Sequence, residues 1–206
     1  MQYTWLGHAT FLITNDAGGR LVTDPADERS IPALPHVAAD VITLSHRHHD
    51  HCAVERIAGM PVVKESAEPE TLAGFSIRGF SVFHDEVQGA KRGPNTIFSF
   101  EADGARIVHC GDLGHMPDEE TLAAIKGCDV LLLPVGGVYT VDGNAAWAIA
   151  KRVAPKTVVP MHFKTPDLGF SLEPVGNFLA AAKADPAPIV IDVPSRGEVA
   201  HIIKES

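Results

Sequence analysis

The chain of 206 residues contains no apolar run approaching the ~20 residues that a membrane-spanning helix needs. Its first residues, Met1-Gln2-Tyr3-Thr4-Trp5, lack the basic stretch and apolar core of a secretory leader, so no signal peptide is expected. Cysteine is scarce, three in all and without framework spacing, which suits a reducing compartment and makes cytoplasmic the expected location. Positive charge is short too: 17 Lys and Arg stand against 26 Asp and Glu, a net charge of −9. A broad nucleic-acid surface wants the opposite balance, so neither nucleic acid nor membrane is expected as a partner. Also missing are the G-x-S-x-G elbow of serine hydrolases and any glycine-rich nucleotide fingerprint.

What the chain does have is concentrated at Ser45-His46-Arg47-His48-His49-Asp50-His51, with four histidines and one aspartate in seven residues. His46, His48, Asp50 and His51 read as H-x-H-x-D-H. They follow Val41-Ile42-Thr43-Leu44, a short β-branched run that reads as a buried strand. Residues two apart on extended chain point to the same side, so His46 and His48 pair, while Asp50 and His51 face back from beyond the turn. Imidazole and carboxylate together suit zinc, manganese, iron or nickel, and two ligand groups so close in sequence suggest two adjacent ions. With 45% apolar residues, the length predicts a single domain over 1–206.

Further motifs occur in order: Leu6-Gly7-His8, Thr23-Asp24-Pro25, Phe83-His84-Asp85, His109-Cys110-Gly111-Asp112 and Pro160-Met161-His162. With H-x-H-x-D-H, they make the chain resemble the metallo-β-lactamase superfamily. Within it, the chain is most similar to the small metal-dependent hydrolase branch that includes L-ascorbate-6-phosphate lactonase-like proteins. The resemblance implies the four-layer αβ/βα sandwich, two mixed sheets face to face with helices outside. It also implies that His46, His48 and His84 bind one metal, that Asp50, His51 and His162 bind a second, and that Asp112 bridges them. Zinc is the leading metal. Asp50 and Asp112 then carry catalytic roles, Asp50 by orienting water or passing a proton to the leaving group. A hydroxide shared by the ions would cleave a lactone or other ester-type bond in a small anionic molecule. The alternatives are phosphodiester hydrolysis at the same ions and a metal-binding module without catalysis. A homo-oligomer is a mild expectation of the same resemblance.

Other residues stay open between roles. His8 and Asp24 support the ligands from behind or serve ordinary turns, and His109 in the H-x-G-D pattern reads as an outer group rather than a ligand. Lys91 and Arg92, in the polar loop after His84, could meet an anionic substrate or be solvated loop cations; Lys164 is a third cation near the expected pocket. His115 could lean over the pocket. Cys52 and Cys110 read as small buried residues before they read as reactive thiols.

The remaining pattern predicts strands at 2–6, 9–14 and 20–23, a loop at 25–40, a short helix at 52–58 and a strand at 61–64. Strands follow at 74–84 and 95–109, then a helix at 117–126, a strand at 129–135 and a helix from Thr140 or Asp142 to Val153. A strand at 156–162, a helix at 173–184 and strands at 189–193 and 198–203 complete the chain. His46, His84, Asp112 and His162 each close an apolar run, which places them on one rim of the sheets.

Overall fold

The computed structural model describes residues 1–202. The fold is legible in strand β2 (Thr10–Thr14), where Phe11 and Ile13 face one apolar cluster and Leu12 packs against another. Two further strands repeat this period of two, β3 (Arg20–Thr23) with Leu21 and Val22, and β4 (Val41–Thr43) with Val41 and Ile42. A sheet apolar on both faces must be covered on both.

With β1 (Gln2–Gly7), β5 (Val62–Lys64) and β13 (Val199–His201), these strands form a six-stranded mixed sheet in the order β13-β1-β2-β3-β4-β5. The second sheet comprises β6 (Glu70–Leu72), β7 (Phe75–Phe83), β8 (Pro94–Ala102), β9 (Ala105–His109), β10 (Val130–Pro134), β11 (Thr157–Met161) and β12 (Val190–Ile191). Its order is β12-β11-β10-β9-β8-β7-β6, parallel from β9 to β12 and antiparallel from β6 to β9. Phe11 and Ile13 of one sheet and Phe98, Phe100 and Ile107 of the other share one buried core.

Three helices cover the seven-stranded sheet. The first, α1 (Glu119–Ile125), is capped by Asp118, which accepts from Thr121 N at 2.8 Å. The second, α2 (Gly143–Val153), is capped by Asp142 and buries Trp147, Ile149 and Val153. The third, α3 (Gly176–Ala184), packs on α2, and Trp147 Nε1 donates to Asp185 O just beyond it.

Most expected elements are present within a few residues. The helix expected over 52–58 is instead a 3-10 turn, Val54–Arg56, without a side-chain cap. The outer face of the six-stranded sheet is therefore covered by loop residues such as Val37 and Ile57 rather than by a helix. The terminal strand is Val199–His201, and Ile203, included in the expected span, lies outside the described residues. Among the described residues no helix is long and apolar enough to cross a membrane.

Candidate metal centre

Strand ends build the centre. His46 follows β4, His84 follows β7, Asp112 follows β9, His162 follows β11 and His8 occupies the turn between β1 and β2. The backbone is forced at several of these points. His8 (φ 51°), Asp24 (φ 38°) and His162 (φ 52°) lie in the left-handed region, which costs a residue with a Cβ roughly 1–2 kcal/mol. Two glycines let the strand ends close up: a Cβ on Gly114 would strike the His84–Asp85 backbone, and one on Gly136 would strike the His162 carbonyl.

Asp112 sits at the middle. Its Oδ2 is 3.0 Å from His84 Nε2, 3.2 Å from His162 Nε2 and 3.9 Å from His46 Nε2, and its Oδ1 is 3.2 Å from His51 Nε2. On one side, His46, His48 and His84 form a group whose ligand atoms lie within 4.8 Å of one another. On the other, His8, Asp50, His51 and His162 do the same. The structure thus brings together all seven residues expected as ligands, and it adds His8. Asp50 Oδ2 lies 3.1 Å from His8 Nε2 and 3.6 Å from His51 Nε2.

Hydrogen bonds behind the cluster turn these side chains inward. Asp24 accepts from Ser45 N at 2.7 Å, from Ser45 Oγ at 2.5 Å and from His51 Nδ1 at 3.0 Å. His51 therefore turns Nε2 toward Asp112. Because the single Ser45 hydroxyl proton goes to Asp24, Ser45 Oγ accepts from His46 Nδ1 at 2.9 Å and leaves His46 Nε2 bare. Asn95 Oδ1 accepts from Asp112 N at 3.0 Å, anchoring that carboxylate's backbone. His109 Nε2 donates to Ala9 O at 2.8 Å and its Nδ1 accepts from Gly111 N at 3.1 Å, so both ring nitrogens are engaged away from the cluster.

The electrostatics suit a cation. Burial, then the neighbouring His51, pushes the His46 pKa down to about 3 against the pull of Asp112 and Asp24. Burial and His162 push His8 down to about 4 against Asp50. Burial, with His84 beside it, also lowers His48. Burial raises Asp112 and Asp50, yet the surrounding histidines win and hold both carboxyls well below their usual range. At His51 burial disfavours charge, but Asp112 and Asp50 raise the pKa well above the ordinary value. The result in the metal-free chain is bare imidazoles at His8, His46 and His48 and a protonated His51 beside ionised carboxylates. Several buried atoms find no hydrogen bond, among them His46 Nε2, His51 Nε2, both His162 nitrogens and Asp112 Oδ1. Orphaned buried polar atoms are costly, and converging ones of this donor type fit divalent cations.

A cavity of about 690 Å³ opens over the cluster, within the range of small-molecule sites. His48, His84, Asp112 and His162 form part of its wall; Arg29, Arg92, Tyr139 and Phe170 are contributed by loops. Of the two loop cations left open between a substrate role and plain solvation, Arg92 lines the cavity, whereas Lys91 does not, since its Nζ donates to Glu86 at 2.7 Å in solvent. Lys164 Nζ is spent on the carbonyls of Leu168 and Phe170. His115 is turned away, accepting from Phe83 N at 3.1 Å in a separate groove. Burial raises the pKa of the Cys52 and Cys110 thiols, which fits small packed residues rather than reactive ones.

One loop residue, the last of the Phe83-His84-Asp85 motif, has no role assigned to it by the sequence pattern. Asp85 accepts from the backbone N–H of Val87, Gly89 and Lys91 at 2.9 Å each and of Arg92 at 2.7 Å. Burial raises this carboxyl, but the four donors outweigh it and bring its pKa to about 2. Tyr139 and Phe170 carry no such signal at all, as isolated aromatics in loops.

Comparison with known proteins agrees with this architecture. The family model described as a beta-lactamase superfamily domain matches residues 2–162. A UPF0173 metal-dependent hydrolase of Methanoculleus marisnigri is 33% identical over 190 residues, covering 80% of this chain and 82% of that protein. A Thermotoga maritima structure, named as a candidate Zn-dependent hydrolase of the metallo-β-lactamase superfamily, is 38% identical with a TM-score of 0.73, covering 87% of this chain and 84% of that one. The Ignicoccus hospitalis metallo hydrolase Igni18 shares the fold, with 20% identity, a TM-score of 0.69 and 97% of each chain covered. The sheets, the rim and these matches define a metal-dependent hydrolase of the metallo-β-lactamase superfamily. Within it, the chain belongs to the UPF0173 metal-dependent hydrolase family.

Proposed function

We propose that the centre is dinuclear, with zinc as its metal, and that it hydrolyses a lactone or other ester-type bond in a small anionic molecule. The observation that carries this reading is the position of Asp112, whose two oxygens together face histidines of both groups at 3.0 to 3.9 Å. His46, His48 and His84 would hold one ion; Asp50, His51 and His162 the other, with His8 beside Asp50; Asp112 would serve both. Bound there, two divalent cations lower the pKa of water toward neutrality and polarise the substrate's carbonyl oxygen.

The chain's own groups do the rest. Asp50, ionised and fixed by His8, is placed to orient water or accept a proton. Asp24 and Ser45 hold two imidazoles by Nδ1 so that Nε2 faces the cluster. The resemblance to L-ascorbate-6-phosphate lactonase-like proteins and the Zn-dependent name given to the Thermotoga maritima protein agree with this reading. Lys91 and Lys164, two of the three cations that would favour a phosphodiester, are engaged elsewhere, which weighs toward the carbonyl substrate.

The test is elemental analysis of protein purified without chelator, paired with turnover of a lactone panel and of a bis-aryl phosphodiester after reconstitution with zinc. About two ions per chain with lactone turnover is the expected result. Phosphodiester turnover alone would overturn the substrate assignment, and a chain that takes up no metal under any loading would overturn the centre itself.

A further inference from the structure

The loop after His84 joins the metal cluster to the cavity wall in a fixed way. Asp85, next in sequence to His84, gathers four backbone N–H groups over the following seven residues, the last being that of Arg92. The loop is closed at its base by His84 N donating to Gly93 O at 3.1 Å and Gly93 N donating to Gly89 O at 2.9 Å. The Arg92 guanidinium lies over the Tyr139 ring, 5.6 Å from its centroid, and donates from Nη2 to Val138 O at 3.1 Å. One donor and one face are thus used, and a guanidinium has five N–H donors, so a fork remains for an oxyanion. Arg92 also stands, with His48, between the cavity of about 690 Å³ and a second of about 420 Å³, so that the cleft divides at this side chain. Beyond Tyr139 the wall continues through Phe170, with ring centroids 6.1 Å apart, to His8, 5.6 Å further on.

We infer that Arg92 binds the carboxylate or phosphate of the substrate, that Asp85 is the positioning residue that sets Arg92 relative to the metal ligands, and that the substrate also carries a ring or short apolar chain that rests against Tyr139 and Phe170. This rests on the hydrolytic reading of the adjoining centre. A guanidinium already held on an aromatic face loses little freedom on binding, and a planar carboxylate or phosphate meets its fork with two hydrogen bonds. A neutral molecule of the same shape would leave those donors unpaired.

The probes are phenylacetate, phenyl phosphate and the neutral phenylacetamide, with binding followed calorimetrically on zinc-loaded and on chelator-treated protein. The two anions are expected to bind at least tenfold more tightly than the amide, and Arg92→Gln to weaken the anions about tenfold while zinc content stays the same. The tighter of the two anions identifies which oxyanion the site prefers. Asp85→Asn is expected to weaken anion binding in the Arg92 protein but to add nothing in the Arg92→Gln background, whereas a general folding defect would lower both. Equal affinity for amide and anion, unchanged anion binding in Arg92→Gln, or no binding of any probe would overturn the inference. Failure of the wild-type chain to take up zinc would overturn the hydrolytic reading instead, and the chelator-treated arm would still report on Arg92.

Discussion

The two halves of the centre are assembled from different kinds of chain. His46 and His48 stand on one loop, His48 open to solvent, and His84 completes them from the end of β7. His8, Asp50, His51 and His162 come from three separate segments, all four buried, with Asp24 behind His51 and two of the four on left-handed backbone. A ligand group that the fold has already ordered gives up less freedom when it closes on an ion. The buried half is accordingly expected to fill first and empty last, and the open half to exchange its ion with solution.

Removing the residue common to both halves is the most drastic way to break this contrast. Asp112→Ala should abolish both sites together and lower kcat/KM by on the order of 10³ or more, as expected from losing several kcal/mol of metal-derived stabilisation; retention of either ion in elemental analysis would refute the shared role. Asp24→Ala should weaken the more tightly held ion most, by about 10–100-fold in a chelator titration, because Asp24 bonds His51 directly and reaches His46 of the open half only through Ser45. An equal effect on both ions would erase the distinction.

Acid provides a subtler probe, applied to the metal-free protein. His8 and His46 have folded pKa values of about 4 and about 3, below the ordinary 6.5, so between pH 6.5 and 4 the unfolded chain binds more protons than the folded one. Stability should therefore fall as pH drops through that window, by roughly 1.4 kcal/mol per pH unit per group at most. His51, already protonated when folded, adds no slope there; its contribution is lost only as pH rises through its raised value. Denaturant melts at pH 6.5, 5.5 and 4.5 would show it, and a flat profile would contradict the bare state of these imidazoles. The smallest effect on metal is expected at His109: His109→Ala should leave metal content intact while costing about 1–3 kcal/mol of stability from its two lost hydrogen bonds.

Much of the architecture is legible in the chain because apolar alternation reports directly on which face of a strand is covered, as in Phe11, Leu12 and Ile13. The H-x-H-x-D-H spacing and the strand-terminal His84, Asp112 and His162 are legible for a related reason, since a ligand needs a rigid stem. Strand β6 was missed: Glu70–Leu72 is an edge strand of three residues with no apolar alternation, recruited by the antiparallel partner β7. The substrate-facing wall is harder still. Nothing local tells Arg92 from Lys91; what separates them is that Asp85 turns the loop so that one faces Tyr139 and the other Glu86. The pattern leaves His8 open between a turn and a support for the ligands because it does occupy a turn, and only the return of β11 beside it makes its ring a neighbour of His162, with centroids 4.2 Å apart.

The left-handed backbone at His8, Asp24 and His162 has an evolutionary consequence. Glycine occupies such positions without penalty, so drift toward glycine there would relieve local strain while discarding the groups that make the protein useful. Selection for chemistry and selection for foldability pull in opposite directions at these three positions. A lineage released from the need to hydrolyse its substrate would be expected to lose them early and still keep both sheets, leaving inactive descendants that fold as well as their ancestor did.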